Sequence, residues 1–317
     1  MNTQGKVTVR GANRLFLIGM IMQFVVGIVI SVMVVLFYAI AGQGEPEENV
    51  ITYVLLVFTQ LLAVLLPSII YVKYKGVNIK DTLRLKPLKP LHILLIAMIG
   101  LAGQYIAQFL NWPVLLLLDL IGEIPPSPIP VPDHFGSLIV SIVIVGVMPA
   151  VCEEIMMRGI VLPAYEIRGT KAGIVLSALL FGFMHGDIKN LVGPIFFGIV
   201  FGYLVVRTGS IFAGILAHFV NNAFAMTMEY LYGIYWADHA FLNSFAFFLL
   251  MLVASLVVFI AALVLFNRTT ALQPKPSISA ARFHLKAAFI NIPVLVTMGI
   301  YIILQVLVIT EIIRGGQ

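Results

Sequence analysis

The feature that most constrains this chain is a succession of apolar runs without a charge in them: residues 15–41, 50–72, 91–110, 241–266 and 287–309. A hydrocarbon core about 30 Å thick is crossed by roughly 20 apolar residues of helix, and each run meets that length. The first run is also too long for the apolar segment of a cleavable signal, which is about 7–15 residues. Four shorter runs, 137–151, 172–184, 191–206 and 211–228, are interrupted or flanked by Glu, Arg, His and Asn. Hydrophobic residues make up 61% of the 317 and charged residues only 10%, against about 45–50% and about 25% in a soluble domain. So few charges cannot cover a water-soluble surface. The hydrophobicity excludes disorder, and a single cysteine, Cys152, excludes a disulfide scaffold. The expected fold is all-α: a polytopic transmembrane helix bundle of about nine spans.

The positions of the basic residues give the expected orientation. With the N-terminus in the cytoplasm, 17 of the 19 Lys and Arg fall on the cytoplasmic side, in the segments 6–14, 73–90, 158–171, 207 and 268–286. Only Lys189 and Arg314 lie elsewhere, while Glu45, Glu47, Glu48, Glu123, Asp133 and Asp238 mark the outer side. Adding or deleting a span would scramble that split. The net charge of +5 is therefore a matter of topology. Membrane lipids are the expected surroundings, contact with anionic headgroups is secondary, and no nucleic-acid partner is expected.

Helix-breaking connectors divide the chain at Gly42, Gly44 and Pro46 and at the proline run 125–132. The expected parts are a cytoplasmic tail (1–14), N-terminal transmembrane helices (15–130), a polar helical core (131–230) and C-terminal transmembrane helices (231–317). Trp112-Pro113 is expected to end or kink the third span. The short loops, with no evident organellar signal, point to a multi-pass protein of a bacterial plasma membrane. There is no internal repeat of the kind many transporters carry.

Ionisable groups inside a bilayer are costly and are functional candidates by default. Three clusters qualify: Glu153-Glu154-x-x-x-Arg158, Phe181-x-x-x-His185 and His218-x-x-x-Asn222. Helical rise places Glu153 about 20 Å from the cytoplasmic end of its span, His185 about 21 Å, Asn222 about 20 Å and His218 about 14 Å. Helices of alternating direction thus bring them to similar depth. His218 and Asn222, four apart, share a face. Glu154 and Arg158 have the spacing of an intrahelical salt bridge, while Glu153 points about 100° away. That division suggests a neutralised structural pair beside a lone functional carboxylate.

Each feature also has a plainer reading. Glu154–Arg158 could be only an interfacial ion pair, and a lone His185 or the pair His218 and Asn222 could be hydrogen-bonding struts between helices. Cys152 reads as a small packing residue, and Asp187 and Lys189 as the cap of a short outer turn. The joint occurrence of Glu153, His185, His218 and Asn222 at matching depth favours function.

These three motifs on successive helices resemble the CPBP family of intramembrane proteases, which includes the type II CAAX prenyl endopeptidases and the bacterial Abi proteins. The resemblance covers roughly residues 137–230 and implies an intramembrane endopeptidase acting on a membrane-associated peptide or protein. It implies Glu153 as general base on a water that His185 helps to hold, His218 and Asn222 as the oxyanion site, and Glu154 with Arg158 as helix support. Peptide hydrolysis needs such a base and such donors. No cofactor is required by this reading. A zinc ion, as in a metalloprotease, would take Glu153, His185 and His218 as ligands. The alternatives are an ion- or proton-coupled transporter using the same polar groups, and a non-catalytic immunity or scaffold protein on the same fold.

Overall fold

A computed structural model describes residues 6–271 and 291–315. These residues form a helical bundle: α1 (Val9–Ala41), α2 (Glu48–Lys75), α3 (Pro90–Asp119), α4 (Phe135–Tyr165), α5 (Thr170–Met184), α6 (Val192–Thr208), α7 (Ile211–Trp236), α8 (Phe245–Thr269) and α9 (Ile292–Gly315). Among the described residues eight helices are long and apolar enough to cross a membrane, with α5 the short exception. The chain is an integral multi-pass membrane protein. The expected last cytoplasmic loop, 267–286, and the start of the last span at 287 fall mostly outside the described residues.

Burial separates a core from a periphery. Half of the most apolar window of α6 is buried, against 11% of that of α1 and 17% for α2, α8 and α9. The outer faces carry exposed residues such as Ile28, Phe37, Val257 and Ile303, which suit contact with lipid tails. Close approach within the core depends on missing side chains. A Cβ on Gly198 of α6 would lie 2.7 Å from the Ala178 Cα of α5.

The two ends of the bundle are distinct. Arg84, after α2, pairs with Glu166, after α4, and the Ile211 amide donates to the Arg84 carbonyl at 3.2 Å. Three of the basic segments therefore meet at one end. At the other end Ser137 caps α4, accepting from the amides of Asp133 and His134 and donating to the Asp133 carboxylate. Hydrogen bonds from His134 and then Ser137 hold that exposed carboxyl below its usual range.

Three prolines shape the helices that matter. Pro67, Pro149 and Pro163 each stand two residues after the end of a π-helical segment: Thr59–Leu65 in α2, and Ile142–Val147 and Met157–Val161 in α4. Proline has no N–H to give the carbonyl four residues back, and its ring crowds that carbonyl. Widening the preceding turn relieves the clash. Pro113 behaves otherwise: α3 continues through it to Asp119, so of the expected end or kink at Trp112-Pro113 the end is not found. One missing ladder bond is tolerated where neighbouring helices support the chain.

Candidate functional site

Glu153 stands on the α-helical stretch Met148–Met156 between the two π segments of α4. Its side chain is buried, and Gln60 Nε2 of α2 donates to its Oε1 at 2.7 Å. Glu153 Oε2 is buried and has no hydrogen-bond partner, and the same holds for Gln60 Oε1. Gln60 belongs to the π segment of α2, the kind of irregular turn frequent at functional sites.

Glu154 faces the other way, as its position predicts. Arg158 Nη1 donates to Glu154 Oε1 at 2.6 Å, and both side chains are almost fully buried. The guanidinium also donates to the Gly198 carbonyl at 3.1 Å, and its carbon lies 4.5 Å from the Phe181 ring centroid. A second contact goes beyond the expected pair: His218 Nδ1 lies 3.2 Å from the same Glu154 oxygen. Glu154 is thus the carboxylate that orients His218 as well as the partner of Arg158. Gly214, on α7, makes the arrangement possible, because a Cβ there would come 2.3 Å from Glu154 Oε2. Phe201 stacks on the His218 ring with centroids 5.2 Å apart, and Phe181 meets it edge-on at 5.8 Å.

His185 caps the C-terminus of α5 rather than lying within it. Its Nδ1 is 2.9 Å from the Phe181 carbonyl. A carbonyl only accepts, so Nδ1 carries the proton and Nε2 of the neutral ring keeps a lone pair. α5 has 15 residues, about 22 Å of helix, and ends short of a full crossing. The chain returns through residues 186–191, and irregular backbone at such depth needs protein partners. Two amide side chains supply them. Asn111 of α3 accepts from the Val192 amide and donates to the Lys189 carbonyl. Gln305 of α9 accepts from the Ile188 amide at 2.6 Å and donates to the Gly186 carbonyl at 3.0 Å. Asp187 accepts from the Lys189 amide, the expected cap of this turn.

Asn222 Nδ2 donates to the Val145 carbonyl at 2.9 Å. That carbonyl lies four residues before Pro149 and so lacks its usual helical donor. Asn222 Oδ1 accepts from Asn221 Nδ2 at 3.0 Å, and among the described residues the second N–H of Asn222 has no partner.

Glu153, His185, His218 and Asn222 all line one cavity of about 420 Å3. Sequence reasoning named those four and missed Gln60, Gln104, Gln108 and Asn221, which share its walls. The missed residues are uncharged amides, and their only signal was a polar side chain within an apolar run. The zinc set fares differently. Among the described residues no three His, Cys, Asp or Glu side chains come together as metal ligands. Glu153, His185 and His218 are thus not gathered as a three-ligand set among the described residues.

Comparison with known proteins bears on the same region. Residues 135–224 match the family model described as type II CAAX prenyl endopeptidase Rce1-like. The chain is also 30% identical over 98 residues to a Bacillus subtilis protein described as "Putative membrane peptidase YdiL". That match covers 31% of this chain and 40% of the relative. Both findings support the CPBP resemblance, the family model over the core itself. No solved structure matches the chain.

Proposed function

We propose that the chain is an intramembrane endopeptidase of the CPBP type, hydrolysing a peptide bond in a membrane-associated peptide or protein. The single observation that carries this reading is the state of Glu153: a buried carboxylate with one oxygen tied to Gln60 and the other unpartnered, on a cavity shared with two histidines and Asn222. A catalytic base needs such an oxygen at hand, within reach of a positioned water.

In this reading a water donates one hydrogen toward Glu153 and the other toward the lone pair of His185 Nε2. Its oxygen attacks the substrate carbonyl as Glu153 takes the proton. The oxyanion that forms accepts from the free N–H of Asn222 and from His218 Nε2–H. Protonated Glu153 then gives its proton to the departing nitrogen as the C–N bond breaks, so a carboxylic acid and an amine are released. His218 donates through Nε2 as an imidazolium, held at Nδ1 by Glu154. The match to a Bacillus subtilis protein favours a bacterial plasma membrane as the location.

The test is a comparison of membranes carrying wild type or Glu153→Gln, reading new protein termini by mass spectrometry. Termini present only with the wild type are expected. Identical terminal profiles, or ion flux that depends on Glu153 without cleavage, would turn the reading to an idle scaffold or a transporter.

A further inference from the structure

Two glutamines of α3 stand in this cavity with nothing to bind. Gln104 and Gln108 line it, and among the described residues neither side chain makes a hydrogen bond. They are four apart, on one helical face that continues to Asn111 and Leu115, also in the wall. Gln104 lies 14 residues into α3, about 21 Å from its start, and Glu153 lies 12 residues before the end of α4, about 18 Å. The two are at similar depth. Gln108 is one turn farther from the basic end, in the direction of Ile129, which lines the cavity from the proline-rich loop.

We infer that Gln104 and Gln108 form a ladder that binds the backbone of the substrate in extended conformation, leading it from the Ile129 end to Glu153. This rests on the endopeptidase reading and names how that site recognises its substrate. A helix hides its carbonyls in i→i−4 bonds, so a scissile bond must leave the helix before water can reach it. In a membrane each freed N–H and C=O then needs a partner. The cavity volume is about that of one helical turn, too little for a bound segment to satisfy itself. An amide side chain suits the task, since it donates and accepts at once. The spacing also suits it: four helical residues rise about 6 Å, and two residues of an extended strand rise about 6.6 Å. Alternate residues of a bound strand therefore meet successive glutamines. The unpartnered oxygens of Gln60 and Asn221 supply acceptors nearby.

The probe is a labelled transmembrane peptide, a Leu/Ala host with a central six-residue Gly/Ala window, bound to Glu153→Gln protein in nanodiscs so that binding is read without turnover. Gln104→Leu and Gln108→Leu should each weaken binding about tenfold, the loss of one good hydrogen bond. An uninterrupted Leu/Ala peptide should bind poorly throughout. A second measurement alters the peptide backbone: window peptides with single ester links in place of amides should bind protein carrying both glutamines more weakly and the Leu variants without further loss. Unchanged binding in both Leu variants, ester effects independent of the glutamines, or no binding of any window peptide would each overturn the inference. Cleavage of the same peptides by protein with Glu153 intact judges the endopeptidase reading separately. Cleavage with indifferent glutamines sinks only the ladder. Glutamine-dependent binding with no cleavage sinks only the hydrolase.

Discussion

At the scale of single residues the site turns on how each charge is held. Glu153 has one fixed and one open oxygen, so removing the fixing donor should blur its aim without emptying the cavity. Gln60→Met is therefore expected to lower the single-turnover cleavage rate about tenfold, some 1.4 kcal/mol of barrier, with the melting temperature near wild type. A variant that melts early but cleaves normally when folded would make Gln60 a mere strut. Arg158 predicts the opposite pattern. Removing one member of a buried pair leaves an uncompensated charge and costs about 3–5 kcal/mol, so Arg158→Ala should be poorly expressed and thermally labile. A stable but inactive Arg158→Ala would contradict its structural role. The ionisable residues were legible in the sequence because the bilayer makes each of them expensive. The double use of Glu154, serving both Arg158 and His218, was not. It depends on Gly214 letting α7 approach α4, a contact between helices that i, i+4 spacing within one helix does not reveal.

At the scale of elements, apolar runs located the helices but not their irregularities. The π turns before Pro67, Pro149 and Pro163 follow from the proline clash, yet Pro113 produces no break in α3, so proline alone does not settle the outcome. The short α5 is the more consequential case. Its 15 residues were visible as a shortened run, but the partners of the returning segment, Asn111 and Gln305, come from spans far away in the chain. Asn111→Leu or Gln305→Leu strands backbone groups at about 1–3 kcal/mol each. Hydrogen exchange of residues 185–192 should accelerate in either variant while α7 stays protected. Unchanged protection of that segment would show that it does not depend on these amides.

At the scale of the whole molecule, the apolar runs make a many-helix membrane bundle readable from the sequence: among the described residues eight helices are long and apolar enough to cross and one is shorter, where about nine spans are expected. The gathering of the basic segments at one end also agrees with the charge pattern. On a Cys152→Ser background, single cysteines in 76–89 should react with a membrane-impermeant thiol reagent only from the cytoplasmic side. Those in 43–49 and 125–135 should react only from outside, and the reverse pattern would invert the bundle.

The activity proposed for this bundle is water attacking a peptide bond within the cavity at Glu153. That event is read most directly from cleavage of the window peptide by purified protein in 18O-labelled water, with Glu153→Gln alongside. One 18O atom is expected in the new C-terminal carboxylate. The rate for Glu153→Gln should be lower by at least about a hundredfold, the low end of what a positioned general base contributes. Cleavage undiminished in Glu153→Gln, or no 18O in the product, would contradict hydrolysis at Glu153.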